Sequence, residues 1–189
     1  MNGYSSLPSI PSVSSDEPDW SRERCHRFWE PGRKLLRSIR SNQACKRRFG
    51  RFASILSWWI VLRHRFWSIV TGADIPLNCQ IEGGLLIPHP NGIVIHPDAI
   101  IGPNCLIFQQ VTIGSGSIPG TPILEGHVDV GAGAKILGGI RIGAHAKIGA
   151  NAVVVKDVPS GATVVGIPAR VIPCTVLEVS ADDTIMHRD

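Results

Sequence analysis

No stretch of this 189-residue sequence holds the roughly 18 consecutive apolar residues that a membrane-spanning helix takes. The nearest candidate, Phe52 to Leu62, is too short. The first twenty residues, MNGYSSLPSIPSVSSDEPDW, lack the basic start and apolar run of a secretory leader and read as a disordered lead. No CxxC pair occurs among Cys25, Cys45, Cys79, Cys105 and Cys174. Their odd number and scatter argue against a disulfide framework and a zinc knuckle, and fit a reducing cytoplasm. Tryptophan is missing after Trp67, and lysine and arginine become sparse beyond Arg65. No nucleic-acid-binding motif accompanies the basic residues, so nucleic acid is not an expected partner.

What is present divides the chain near Thr71. All five tryptophans, Trp20, Trp29, Trp58, Trp59 and Trp67, lie before it, with a basic series from Arg22 to Arg65; Gly, Ile, Val, Ala and Pro dominate after it. RKLLRSIR and FASILSWWIVLRHRFWSIV carry helix-compatible apolar spacing with few breakers, which predicts about two helices within residues 21–70. Two roles suit them: a cap packed on the main domain, or a basic, Trp-bearing surface in peripheral contact with an anionic membrane.

After Thr71 the sequence repeats every six residues. Ile95, Ile101, Ile107 and Ile113 keep that spacing, with Ala99, Cys105 and Val111 four positions after the first three. The pattern resumes in a shifted frame at Val130, Ile136, Ile142, Ile148 and Val154, accompanied by Ala134, Ile140, Ala146, Ala152 and Val158. A helix would repeat at 3.6 and an isolated strand at two, so a period of six fits neither alone. It fits a coil of short strands, each contributing one aliphatic and one small inward residue before a corner where glycine or alanine allows a tight turn. Three such faces make a coil of about 18 residues, stacked so that each buries its neighbour's core. Between the frames, SGSIPGTPILEGH is rich in Gly and Pro and predicts a loop at about 114–127, placed like a flap over a site. The expected organisation is a lead over 1–20, helices over 21–70, the coil over 71–172 and a tail over 173–189.

The segments GADIP, GLLIPHPNGIVIHPDAIIGPNC, QQVTIG, VGAGAKILGGIRIGAHAKIGANAVVVKDVP and VVGIPARVI resemble the hexapeptide-repeat acyltransferases, and among them the serine O-acetyltransferases. The resemblance implies a mainly β fold, a left-handed parallel β-helix with an N-terminal helical segment, assembled as a homotrimer or a dimer of trimers. It further implies acetyl-CoA as co-substrate, bound between neighbouring subunits, no metal, and O-acetylation of serine as the first step of cysteine biosynthesis.

On the family motif His89 falls on the catalytic histidine and Asp74 on the aspartate that pairs with it. Acetyl transfer from a thioester to an alcohol needs a base for the hydroxyl proton and donors for the tetrahedral oxyanion. Histidine suits the first task because its unperturbed pKa of about 6.5 lies near working pH, and a carboxylate on the far ring nitrogen would fix its tautomer. His96 has no family role and reads as shaping a corner or lining the site. Ala132 and Ala150 match small residues of the pantetheine groove. Lys147 and Arg170 offer fixed charge to CoA phosphates, and Gly114 and Ser115 are positioned to give backbone N–H groups to the oxyanion.

The acceptor side departs from the family. Serine-specific members carry an aspartate before the catalytic histidine and an Arg-His pair in the loop, where this chain has Pro88, Gly120 and Thr121. A zwitterion without counter-charges is costly to bury, so Glu125, His127 or the helices would have to supply them. An uncharged hydroxyl, such as a saccharide's in polysaccharide biosynthesis, is the alternative acceptor. A remote alternative is a trimeric zinc lyase of the carbonic-anhydrase kind, with His89, His96 and His127 as ligands across a subunit interface. Members that dock with cysteine synthase end in isoleucine, whereas this sequence ends TIMHRD, so that complex is not expected.

Overall fold

The structure, a computed structural model, describes residues 13–49 and 54–172. It is mainly β with an N-terminal helical segment. From Gln80 onward the chain winds through three sheets in rotation. The first sheet holds β1 (Gln80–Ile81), β3 (Ile100–Ile101), β6 (Ile123–Leu124) and β9 (Arg141–Ile142). The second holds β4 (Leu106–Ile107), β7 (Asp129–Val130), β10 (Lys147–Ile148), β12 (Thr163–Gly166) and β13 (Ala169–Ile172). The third holds β2 (Val94–Ile95), β5 (Thr112–Gly114), β8 (Lys135–Leu137) and β11 (Val153–Val154). All pairings are parallel except the closing β12–β13 hairpin.

The register explains the period. Ile95 lies against Ile113, and Ile136 against Val154, eighteen residues on in each case. Stacked aliphatics therefore form continuous columns: Ile101, Ile107, Ile113, Val130, Ile136 and Ile142 are fully buried, as are the small residues Ala99, Cys105, Ala134 and Ala152. Glycine after an aliphatic residue has a different purpose from the expected one. At Gly131 a Cβ would come within 2.6 Å of the Ala150 nitrogen, so the residue is there for close approach between coils. The left-handed turn falls two positions later, on Gly133, Asn104, His127, His145 or Asn151. Asn and His tolerate that region better than most side chains.

Two coils depart from eighteen. Ile81 pairs with Ile101, twenty residues on, and the two additional residues fall between Ile87 and Ile93. Ile101 pairs with Leu124, twenty-three residues on, and the five additional residues lie between β5 and β6. The loop expected at about 114–127 is thus shorter, because fully buried Leu124 already takes the hexad position six before Val130. Glu125, Gly126 and His127 belong to the next corner. The loop lies on the paired glycines Gly138 and Gly139, whose N–H groups donate to the carbonyls of Gly114 and Ile118. A Cβ at Gly139 would stand 2.2 Å from the Pro119 oxygen.

The open start of the coil is closed by α1 (Pro31–Phe49). Its Leu35, Leu36 and Ile39 are buried against Ile75, Ile81, Leu85 and Ile87. α2 (Ser54–Thr71) packs on α1 through Trp67 and a hydrogen bond from the Arg63 guanidinium to Ser41 Oγ of 2.6 Å. The lead expected to be disordered is partly packed: the Asn104 side chain donates to the carbonyls of Ser14 and Glu17 and accepts from Asp19 N, and the Arg22 guanidinium donates to the Asn104 carbonyl. Residues 1–12 of that lead and the tail 173–189, with Cys174, lie outside the described residues.

Candidate active site

The two-residue expansion between Ile87 and Ile93 projects His89 and Pro88 from the corner joining the second and third sheets, and both are exposed. The corner is held on the chain below by Gly92 N–H donating to the Gly72 carbonyl (2.8 Å) and Asp74 N–H donating to the Ile93 carbonyl (2.8 Å). His89 and Asp74 therefore sit on adjoining segments. Among the described residues neither side chain makes a hydrogen bond, so the expected Asp74–His89 pair is not formed in this structure. The Asp74 charge acts instead on His64 and Cys79. Burial, with a smaller contribution from Asp74 and Asp98, pushes the Cys79 thiol up to about 12, so it stays protonated.

His89 opens into a cleft of about 620 Å3, walled by Leu85–Asn91 on the coil and by Trp29–Arg33 and Val70–Thr71 on the helical cap. The cap comes this close because Gly32 has no side chain; a Cβ there would meet the Ile87 oxygen at 2.7 Å. Glu30 and Arg33 in this wall form a 2.9 Å ion pair. The other Glu30 oxygen accepts from the backbone N–H groups of Arg27 and His26 at 3.1 and 2.6 Å. These bonds, that from Arg27 first, and the neighbouring Arg33 and His26 hold its carboxyl below the usual carboxylate range. Sequence reasoning missed this pair, because nothing in EPGR shows that the start of α1 reaches the PHPNG corner. Gln109 was missed as well. It occupies the same corner one coil above His89, and its Oε1 is buried without a hydrogen-bond partner among the described residues.

The other expected residues fall into two groups. Ala132 and Ala150 continue the corner of His89, joined by Asn151 N–H donating to the Ala132 carbonyl (2.8 Å). Lys147 on β10 and Arg170 on β13 are exposed on the sheet that borders this corner, so one flank carries these four residues and His89. Gly114 and Ser115 lie at the far end of the third sheet, where a Cβ on Gly114 would meet open space. His96 also lies at that end, and its Nδ1 accepts from Asp98 N–H at 3.2 Å, which fits the corner-shaping role.

Within the chain, Glu125 and His127 do not reach the His89 cleft. They lie on the third corner, between the first and second sheets. Glu125 is engaged by the Arg141 guanidinium (2.9 Å) and Ala144 N–H (2.8 Å), and these bonds, Arg141 first, draw its carboxyl down. His127 meets His145 edge to face with their Nδ1 atoms 2.8 Å apart; burial, opposed by Asp129 and helped by His145, depresses its pKa. His89, His96 and His127 of the zinc alternative stand on three different corners of the chain, so they could meet only across a boundary between subunits; within the chain no group of three metal-ligating side chains occurs among the described residues.

No protein-family model matches the chain. It is similar to the serine acetyltransferase of Synechococcus elongatus, with 50% identity over 107 residues, 55% of this chain and 44% of that protein. It is also similar to the serine acetyltransferase of Helicobacter pylori strain 26695, with 42% identity over 130 residues, 67% of this chain and 72% of that protein. Among solved structures it resembles a serine acetyltransferase in complex with CoA, with a TM-score of 0.63 and 33% identity over 76% of this chain and 57% of that one. The chain thus spans less than half of the S. elongatus relative's length.

Proposed function

Since this chain belongs to the serine acetyltransferase family, we propose that it is an acetyl-CoA-dependent O-acetyltransferase acting on serine from a left-handed β-helix. The observation that carries this reading is the exposed His89, set in a cleft on the corner that continues into Ala132 and Ala150. His89 as general base takes the proton of the acceptor hydroxyl while its oxygen forms a bond to the thioester carbonyl carbon. The backbone N–H groups of Gly114 and Ser115, supplied across a subunit boundary, stabilise the tetrahedral oxyanion. Collapse breaks the C–S bond, and the CoA sulfur leaves with the proton that His89 returns. Asp74 turns to the imidazolium as it forms. Lys147 and Arg170 face the CoA phosphates, and the small side chains of Ala132 and Ala150 leave room for the pantetheine arm.

Glu30 and Arg33 favour serine, since they put charges of both signs into the His89 cleft, whereas Pro88, Gly120 and Thr121, at the family's serine-binding positions, offer none. Those three uncharged residues are the specific support for a second reading, a saccharide or other neutral alcohol as acceptor. A homotrimer or dimer of trimers in a reducing cytoplasm completes the proposal; the free thiols of Cys45, Cys79 and Cys105 are compatible with it. The test follows free thiol release from acetyl-CoA with L-serine beside sugars and nucleotide sugars. Serine turnover lost by a factor of about 100 to 10,000 in His89→Ala, with CoA binding retained, is the expected result. Turnover with a sugar and none with serine replaces the first reading by the second. Unchanged turnover in His89→Ala removes both.

A further inference from the structure

The second helix is built inside out. Along α2 the side facing α1 and the coil carries His64, Trp67, Ser68 and Thr71, three of them polar, whereas the outward side carries Trp58, Leu62, Phe66 and Ile69 with Trp59 beside them. Trp58 is 59% exposed, Trp59 69%, Phe66 54% and Ile69 83%. At 1.5 Å rise per residue the stripe from Trp58 to Ile69 is about 16 Å long. Helical periodicity puts Arg65 along one border of it and Arg63 along the other. At one end, Trp59 and Arg63 share a shallow depression with Arg48 of α1. Near the other, the Lys34 ammonium stands 4.8 Å from the centre of the exposed Phe28 ring. A soluble helix places its apolar stripe inward; this one presents aromatics outward, within a frame of cations.

Charge identifies the occupant. Neither α1 nor α2 contains an acidic residue, while α1 holds Arg33 and Arg40, paired with Glu30 and Glu23 outside the two helices, and beyond them Lys34, Arg37, Lys46, Arg47 and Arg48. A second copy docked through the same face would bring two all-cationic helix pairs together, which like-charge repulsion opposes. A bilayer with anionic headgroups supplies the opposite charge for Arg and Lys, an apolar layer for Ile69 and Leu62, and the interfacial depth that tryptophan prefers. No helix among the described residues is long and apolar enough to cross a membrane. We propose that the outward face of α2, bordered by the cations of α1, docks the protein on an anionic lipid surface, with α2 lying in the plane of the interface. Val70 and Thr71, at the end of the same helix, wall the His89 cleft, so docking holds the acceptor entrance close to the headgroups.

The proposal is independent of the acceptor and is tested by vesicle flotation of the full chain. Vesicles of phosphatidylcholine mixed with phosphatidylglycerol are compared with vesicles of phosphatidylcholine alone. The expected result is flotation with the anionic vesicles only, a blue shift of tryptophan emission on binding, and weakening as salt is raised. Trp58→Ser/Phe66→Ser/Ile69→Ser, with acetyl transfer unchanged, is expected to lose flotation. Arg65→Gln is expected to bind about fivefold more weakly, the effect of removing one interfacial cation. Equal flotation with both vesicle types, or flotation of the triple variant like that of the parent, overturns it. So does failure to float combined with a concentration-dependent mass that the triple variant abolishes, which would make a second copy the occupant.

Discussion

His64 stands where α1, α2 and the first coil meet, 8% exposed. The Ser38 hydroxyl donates to the Leu35 carbonyl (2.6 Å), and its oxygen lies 2.9 Å from His64 Nδ1. Burial depresses the pKa of this imidazole; Arg65 adds to the effect, while the Ile75 backbone and Asp74 oppose it. A histidine with a folded pKa below its unfolded one contributes its full stability above about pH 6.5, and that contribution is lost as pH falls through the folded value. Melting temperature measured from pH 7.5 downward should therefore drop more steeply for the parent than for His64→Gln, which keeps a polar amide for Ser38 but cannot take a proton. Parallel curves would show that His64 does not link folding to pH. Nothing in WIVLRHRFW distinguishes His64 from its exposed arginine neighbours, because its burial depends on α1 crossing it. His89 was legible through the family motif over GLLIPHPNGIVIH, and the structure places it exposed on the corner that PHPNG forms.

At the scale of the element, the hexad was readable because a three-sided coil forces every sixth residue inward whatever surrounds it. The corners were less so. The sequence pattern marks Gly131 or Gly143 as the turning residue, but the left-handed position is filled by Asn, His or Gly two places on. Pro and Gly around Leu124 concealed where the coil resumes. The energetic meaning of the pattern is measurable. Ile136 lies between Ile113 and Val154 in a column of stacked side chains and is fully buried, so Ile136→Ala leaves a cavity that the coils above and below are too regular to fill. A loss of about 2–5 kcal/mol is expected from the urea midpoint. Ile123, one position before an inward residue, is only half-buried. Ile123→Ala should cost clearly less, and equal losses would mean that the six-residue period does not report the core.

For the whole molecule, the flank that carries His89, Ala132, Ala150, Lys147 and Arg170 is also where, among the described residues, the second sheet remains uncovered. β13 forms the edge of that sheet, paired among the described residues only with β12; its Val171 is 54% exposed, and Ile167 in the β12–β13 turn is 74% exposed. An edge strand with exposed aliphatics is a template for association unless something covers it. In the proposed trimer a neighbouring coil covers it and closes the groove for CoA with its own wall, so assembly and co-substrate binding depend on the same strip of surface. Val171→Asp puts a desolvated charge into that contact without touching the inward columns. The parent chain should then run in light scattering as three or six chains and bind CoA. The variant should run as single chains, keep the β signal of the coil in circular dichroism, and lose CoA affinity although Lys147, Arg170 and His89 are intact. A variant that becomes monomeric and still binds CoA like the parent would mean that one chain forms the groove alone, and the trimer would then serve stability rather than chemistry.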